Sequence, residues 1–501
     1  MGRYKNPFED PVEIGIGGLN VSRPPHKIHD TEIAGGYNFW LTPNGEFGTR
    51  PGTTAILDSA MSDSIRAIFY YVPGDEIVFV SGTKVYVVNR TGGVPVELGA
   101  ISSGLDSGEV TGEMFCGYLF IASGGALQYY DGSTLSTLSS GSTHSLDPPS
   151  TVSLLAVVKN RLWLGEGSDI FYSGVADYQD WGRDPTSPEG EGALLNGGSF
   201  SVQNQDGDSI TAFATFQGDL LVFKGVNNNT IHAVLGETSD DFYPKQKSKG
   251  LSCVNSMAAG TVDSDVLFCG NGGVYSYRVV DTVGNTQAVP ISLKINPELD
   301  ISDVVSATYA PSIGYFFVIM GNGFTYLYHK PTQTWYKWIL EFSPVDVAEF
   351  RDFIYFGASD GQIYRLNDDS KTDNGNEFYS VVRTKVFKGS SPRAINIQRL
   401  YAWIKYKSSG ILNMTAYGKI GEEKLKSRSN TGEGIDIFAF GSDSAVFGGE
   451  GVVFGSVVQT RKLMFKINRE ADDVQIKFTT KAKIIIMHIS LDGAYLSKRG
   501  R

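Results

Sequence analysis

Residues 353–366 read Phe353-Ile354-Tyr355-Phe356-Gly357-Ala358-Ser359-Asp360-Gly361-Gln362-Ile363-Tyr364-Arg365-Leu366: an apolar run, a Ser-Asp-Gly turn, then a second run carrying Tyr. Apolar residues that alternate or run together between Gly and polar turn formers are the signature of half-buried or buried strands. The unit recurs upstream. IVFVSG leads into KVYVV around Gly82, GYLFIASGG into LQYYDG around Gly124, NRLWLGEG into DIFYSG around Gly165, and DLLVFKG into TIHAVLG around Gly225. DVLFCGNGG with VYSYRVV and YFFVIMGNG with FTYLYHK follow around Gly272 and Gly323. The six intervals from Gly82 to Gly361 average about 46 residues.

A strand-turn-strand unit repeating every roughly 40–50 residues is what propeller blades look like, because one four-stranded blade cannot bury both of its faces alone. Seven copies predict an all-β fold with a β-propeller of about seven blades over residues 51–370, six or eight being the alternatives. Stacked hairpins in a sandwich series or β-solenoid would also give Gly-turn pairs. The near-constant repeat favours the propeller, as does His329-Lys330-Pro331-Thr332-Gln333-Thr334-Trp335-Tyr336, which resembles an outer-strand turn ending in an aromatic. The less regular interval from Gly165 to Gly225 holds Asp184-Pro185-Thr186-Ser187-Pro188-Glu189-Gly190-Glu191-Gly192, read as an excursion from the rim.

The character of the chain changes near residue 370. Residues 1–369 carry 21 Lys and Arg against 42 Asp and Glu, a net of −21; residues 370–501 carry 22 against 12, a net of +10. The polar stretch from Asn367 to Asn376 lies on this step and reads as a linker. Beyond it, FYSVVRTKVF, NIQRLYAWIKYK, ILNMTAYGK, RKLMFKIN, DVQIKFTT and KIIIMHISL alternate apolar residues with Lys or Arg, which predicts a C-terminal β-sandwich over 371–501 with one solvated basic face. A Gly- and Phe-rich insertion spans 427–457. Residues 1–50 contain Pro7, Pro11, Pro24 and Pro25 and no strand-length apolar run before Trp40, so they read as an extended arm that docks on an adjacent subunit or adaptor and orders only in the assembly. The alternative is a hairpin of Tyr37–Leu41 and Glu46–Arg50 that closes the propeller.

With 501 residues, 41% apolar and 59 Gly, the chain has enough material for sizeable cores. No run approaches the roughly 18 apolar residues of a membrane helix, so no membrane insertion is expected. The start lacks the apolar core of a signal peptide, which points to synthesis in a cytoplasm and leaves the Asn-x-Ser/Thr sequons without weight. Cys116, Cys253 and Cys269 sit in or beside apolar runs and read as buried thiols rather than a disulfide framework.

Catalytic chemistry finds little support. His26 and His29 flank no third strong ligand at a metal spacing, and Asn204-Gln205-Asp206-Gly207-Asp208 begins like a Ca²⁺ loop but lacks the Glu at its twelfth position. The chain contains no Gly-x-Ser-x-Gly elbow, His-Glu-x-x-His or phosphate-cradling loop. Ser359-Asp360-Gly361 and Leu491-Asp492-Gly493 lack the Trp of a sialidase-type Asp box. No enzyme, cofactor or metal is expected.

Gly17-Gly18-Leu19-Asn20, then Asn38-Phe39-Trp40, then Arg50-Pro51-Gly52 leading into the repeats, resembles the opening of tail nozzle or tail hub proteins of short-tailed bacteriophages. The resemblance rests on Gly18, Leu19, Asn20, Asn38, Arg50, Pro51 and Gly52. It extends to paired strands at 383–388 and 396–405. It implies a virion protein that forms a ring, usually of six copies, at the distal end of the tail. An adaptor or head-completion protein would sit above it, a fibre, spike or tip protein would attach to it, and double-stranded DNA would pass through it. An acidic body suits a conduit, since it does not hold phosphates as a basic wall would. The competing expectation is a carbohydrate-binding or scaffolding propeller whose aromatics stack on sugars. Phe438, Phe440, Phe447 and Phe454 of the insertion are candidate gate or inter-subunit contacts, because so many apolar groups among glycines need cover. Folding back on their own sandwich is the alternative.

Overall fold

The computed structural model describes residues 11–139, 146–182, 196–203, 205–225, 227–262, 264–279, 286–388, 395–418, 423–432 and 459–495. Among them, seven antiparallel blades form a β-propeller. Six are four-stranded sheets built in chain order, beginning at Ile65–Tyr71, Thr111–Phe115, Leu154–Val158, Ser209–Phe216, Ala259–Val262 and Val304–Ala310. These first strands and Pro344–Phe350, which opens blade 7, lie next to one another around the ring, and blade 7 meets blade 1.

Blade 7 is completed from the other end of the sequence. Pro344–Phe350, Phe353–Ala358 and Ile363–Asn367 take Gly52–Ala55 as their fourth strand, in register from Tyr364 opposite Ala55 to Asn367 opposite Gly52. The turn at Gly361 has φ +79°, and a Cβ there would lie 2.2 Å from the Met61 carbonyl oxygen. Only glycine fits. Two of the expected turn positions differ: Gly165 and Gly225 lie within Arg161–Glu166 and Asp219–Gly225, and Gly167 makes the turn after the former.

Asp346 ties three blades together at the ring closure. Its carboxylate accepts the Ile68 N–H of blade 1 (2.9 Å), the Ser306 hydroxyl of blade 6 (2.9 Å) and the Val347 N–H (2.8 Å). Burial pushes this carboxyl up to about 6, while the three donors pull the other way.

The remaining strands make two five-stranded sheets packed as a sandwich. One runs Ile33–Tyr37, Ser380–Lys388, Asp473–Thr480, Gly410–Gly418, Glu423–Gly432; the other runs Phe39–Leu41, Phe47–Thr49, Ile484–Tyr495, Ile395–Tyr406, Gln459–Ala471. Alternation puts Leu400, Ala402, Ile404 and Phe465 inside against Met414 and Phe478. The N-terminal segment therefore supplies three sandwich strands, which corrects the expectation of a free arm. The alternative is corrected in part: Phe39–Leu41 and Phe47–Thr49 are a hairpin, but they extend a sandwich sheet, and Gly52–Ala55 closes the propeller.

Cys116 also departs from expectation. It is exposed at φ +50° in the turn after Thr111–Phe115, while Cys253 and Cys269 are buried. Burial pushes the Cys253 thiol up to about 12. No helix among the described residues is long and apolar enough to cross a membrane. The excursion at Asp184–Gly192 lies outside the described residues.

Two outcomes are expected. Asp346→Ala strands donors that three blades share, so it should cost about 2–4 kcal/mol in urea unfolding. Because the folded carboxyl titrates near 6 rather than 3.8, the native state holds the proton more tightly. This group's contribution is then greatest at low pH and declines as pH rises through that window, so the gap between wild type and variant should narrow from about pH 4 to about pH 6. Removing residues 1–32 deletes the buried Ile14, Leu19 and Ile28 and should lower the melting temperature of the monomer by several degrees; an unchanged value would restore the arm.

Candidate functional site

The residues that carry the N-terminal motif converge on the joint between propeller and sandwich. Gly18, at φ +74°, lies flat against the outer strand of blade 6, where a Cβ would approach Thr334 and the Trp335 backbone within 3 Å. The Leu19 N–H donates to the Trp335 carbonyl (2.7 Å), and the Asn20 N–H to the Ile33 carbonyl (3.0 Å). Asn20 Nδ2 and the His29 N–H donate to Glu32 Oε2 at 2.9 and 2.8 Å, and Lys294 pairs with Glu32 Oε1 at 2.9 Å. Burial alone would raise the Glu32 carboxyl, but the bonds from Lys294, His29 and Asn20 outweigh it and hold it below its ordinary range.

Arg50 is the centre of the joint. Its side chain is fully buried, and each of its five N–H groups has an acceptor. Nε donates to Asn38 Oδ1 (3.0 Å), Nη1 to the Pro51 carbonyl (2.9 Å) and Asp373 Oδ1 (2.9 Å), and Nη2 to the Ile339 carbonyl (3.0 Å) and Asp373 Oδ2 (2.6 Å). The guanidinium also stacks 3.6 Å from the Phe378 ring centroid. Asp373 accepts two further bonds, from the Thr53 hydroxyl (3.1 Å) and the Glu341 N–H (3.0 Å).

Asn38 and Gly52 complete the arrangement. Asn38 adopts φ +62°, a backbone state that Asn tolerates better than most residues, and its side chain bridges the Ile339 N–H and the Tyr379 carbonyl. A Cβ on Gly52 would lie 2.2 Å from the Thr372 carbonyl oxygen, so the strand that closes blade 7 can run this close to the linker only as glycine. Beside this polar knot, Trp40 packs on Tyr315 and edge-on to Trp338, both with centroids 5.3 Å apart, and the Tyr315 hydroxyl donates to the Leu41 carbonyl (2.6 Å). The buried apolar cluster consequently runs without a break from blades 4–7 into the sandwich.

All seven motif positions therefore lie in one seam. Sequence reasoning missed their partners Asp373, Trp338 and Phe378; Asp373 stands in a run of polar linker residues with nothing to mark it. Phe438, Phe440, Phe447 and Phe454 lie outside the described residues. In the Ca²⁺-like loop both carboxylates bond to protein donors: Asp206 pairs with the buried Lys224 (2.9 Å), and Asp208 accepts the N–H groups of Asn227 and Asn228. No cluster of three His, Cys, Asp or Glu suited to a metal occurs among the described residues.

No family model matches this sequence, and no curated protein matches it. Among solved structures the chain is similar to a catalytically inactive virginiamycin B lyase from Staphylococcus aureus with quinupristin (10% identity over 62% of this chain and 97% of that one, TM-score 0.42). It is also similar to the Pan2 WD40 domain of Neurospora crassa (8%, 64% and 94%, 0.41) and to BamB from Moraxella catarrhalis (10%, 64% and 91%, 0.39). The likeness concerns the fold alone.

Arg50→Met should cost about 3–5 kcal/mol in chemical denaturation, because it leaves the Asp373 carboxylate buried without its cation. Adding Asp373→Leu should recover a substantial part of that loss. If the double variant is as unstable as the single one, the stranded charge is not the cause.

Proposed function

We propose that this chain is a structural virion protein, a ring-forming nozzle or hub at the distal end of a short phage tail, through which the genome leaves. The observation that carries this reading is the convergence of Gly18, Leu19, Asn20, Asn38, Arg50, Pro51 and Gly52 on one buried seam. The residues that bear the resemblance are the ones that lock two β-bodies into a single rigid block. A block with a fixed angle between its bodies is what a ring under the pressure of a passing genome requires. Six copies would surround an axial channel, with the adaptor above, a fibre, spike or tip protein attached, and double-stranded DNA as a transient passenger.

The charge distribution agrees with a conduit. With residues 1–51 counted in the sandwich they help to build, residues 52–369 hold 16 Lys and Arg against 36 Asp and Glu, a net of −20, and the rest of the chain carries +9. Phosphates slide past such a body rather than adhere to it.

The sugar-binding reading loses most Trp ring faces to the core, while Tyr243 and Tyr379 stay exposed. Of the six Trp residues, Trp40, Trp163, Trp181, Trp335 and Trp338 are buried, and Trp403 is half-buried with His488 and Lys462 against its ring. The test is negative-stain electron microscopy of the purified full chain at high concentration. Rings with an open axis are expected, and uniformly single particles would remove the reading.

A further inference from the structure

The outer face of the sandwich sheet that contains Ile395–Tyr406 carries a cluster that no fold requirement explains. Strand register places Trp403 between His488 on one neighbouring strand and Lys462 on the other. The His488 ring lies 4.1 Å from the Trp403 ring at 30°, and Lys462 Nζ lies 4.8 Å from the Trp403 centroid and 4.5 Å from that of Tyr401. One pair-step along, Tyr401 faces Met464, which is 42% exposed. Arg399 donates to the Tyr401 hydroxyl at 3.3 Å.

Half-buried surface aromatics beside cations, as Tyr401 and Trp403 are, have three common uses: stacking on a sugar, stacking on a base, or docking a protein. The first two need an open ring face. Trp403 has none to offer, because its cross-strand neighbours lie against it from both sides. What the patch does offer is a preordered edge of Trp, Tyr, Met and Arg, the residue types enriched where protein interfaces are strongest. Around it Arg399, Lys462 and Lys466 supply positive charge, offset in part by Asp492, which stands opposite Arg399 in register. The complementary surface is on the same chain: the propeller, at −20, against +9 for the remainder.

We propose that the Tyr401–Trp403–Lys462 face docks against the acidic propeller of a second copy of this chain. The inference rests on the ring reading and names its contact. A contact between two different patches is heterologous, and repeated round an axis it closes into a ring. Opposite fields steer the encounter and choose its register, and beyond about 8 Å they are screened at physiological salt.

The test uses the full chain in sedimentation velocity at low and moderate ionic strength, with Lys462→Glu and Arg399→Glu as variants. Both side chains lie on the sheet's outer face and lose only their surface contacts to Tyr401 and Trp403, so the melting temperature should fall only slightly. The concentration for half-assembly should rise about tenfold or more, the equivalent of about 1.4 kcal/mol. A photo-crosslinking amino acid at position 464 should join to residues 52–369 of a second copy. Assembly unaffected by either charge reversal, or crosslinks confined to sandwich residues, would overturn this contact and leave the ring reading standing. Wild-type protein that stays monomeric at every concentration removes the ring reading and this inference together. Should a short DNA duplex bind wild type and lose affinity for Lys462→Glu while assembly is unchanged, the face serves nucleic acid and the proposal is wrong.

Discussion

A buried guanidinium must place five N–H groups, and in this molecule that requirement fixes how two β-bodies are held. The acceptors of Arg50 come from the hairpin before the propeller (Asn38), the entry to blade 7 (Pro51), the end of blade 6 (Ile339) and the linker to the sandwich (Asp373). Only one relative placement of these four segments satisfies them all. A buried ion pair adds little net stability over an apolar equivalent, so its effect lies in excluding other placements. The apolar packing of Trp40, Tyr315 and Trp338 then supplies the area on which the joint rests.

The two bodies are also interlaced through the backbone. The chain meets the sandwich at Val12, adds three strands to it within residues 33–49, supplies one strand to blade 7, circles the propeller, and returns to finish the sandwich. No cut through residues 51 or 370 releases either body whole. The charge step that marks the linker is thus a real change of surface but a poor guide to what folds with what.

The propeller was legible because its signal is repeated. Seven copies of one strand-turn-strand pattern outweigh the irregularity of any one of them, even though Gly165 and Gly225 proved to be strand residues. The N-terminal strands were legible only as an alternative hairpin, and their place in the sandwich was not, for the opposite reason. IAGGY, FWL and FGT are short, the first and last contain Gly, and the strands that tie IAGGY and the FWL–FGT hairpin into the sandwich lie more than 300 residues away. The motif from Gly18 to Gly52 could be seen in the sequence, but the acceptors of Arg50 could not: Asp373 looks like any other acid in a polar turn. Cys116 was misjudged because its apolar neighbours Phe115 and Tyr118 flank a two-residue turn rather than a continuous strand.

The closing strand of blade 7 bears on how the protein is made. Gly52–Ala55 leaves the ribosome early, yet the strand it pairs with, Ile363–Asn367, is synthesised some 300 residues later. Gly48 waits longer still for Ile485. At a translation rate of roughly 5–20 residues per second, these distant partners arrive only after tens of seconds, while the first six blades emerge in order. The ring cannot close until Ile363–Asn367 is out, and the sandwich cannot close until Ile484–Tyr495 follows. A product broken off anywhere before the last strand therefore carries open sheet edges, which makes incomplete chains prone to pair with one another and easy for proteases to recognise.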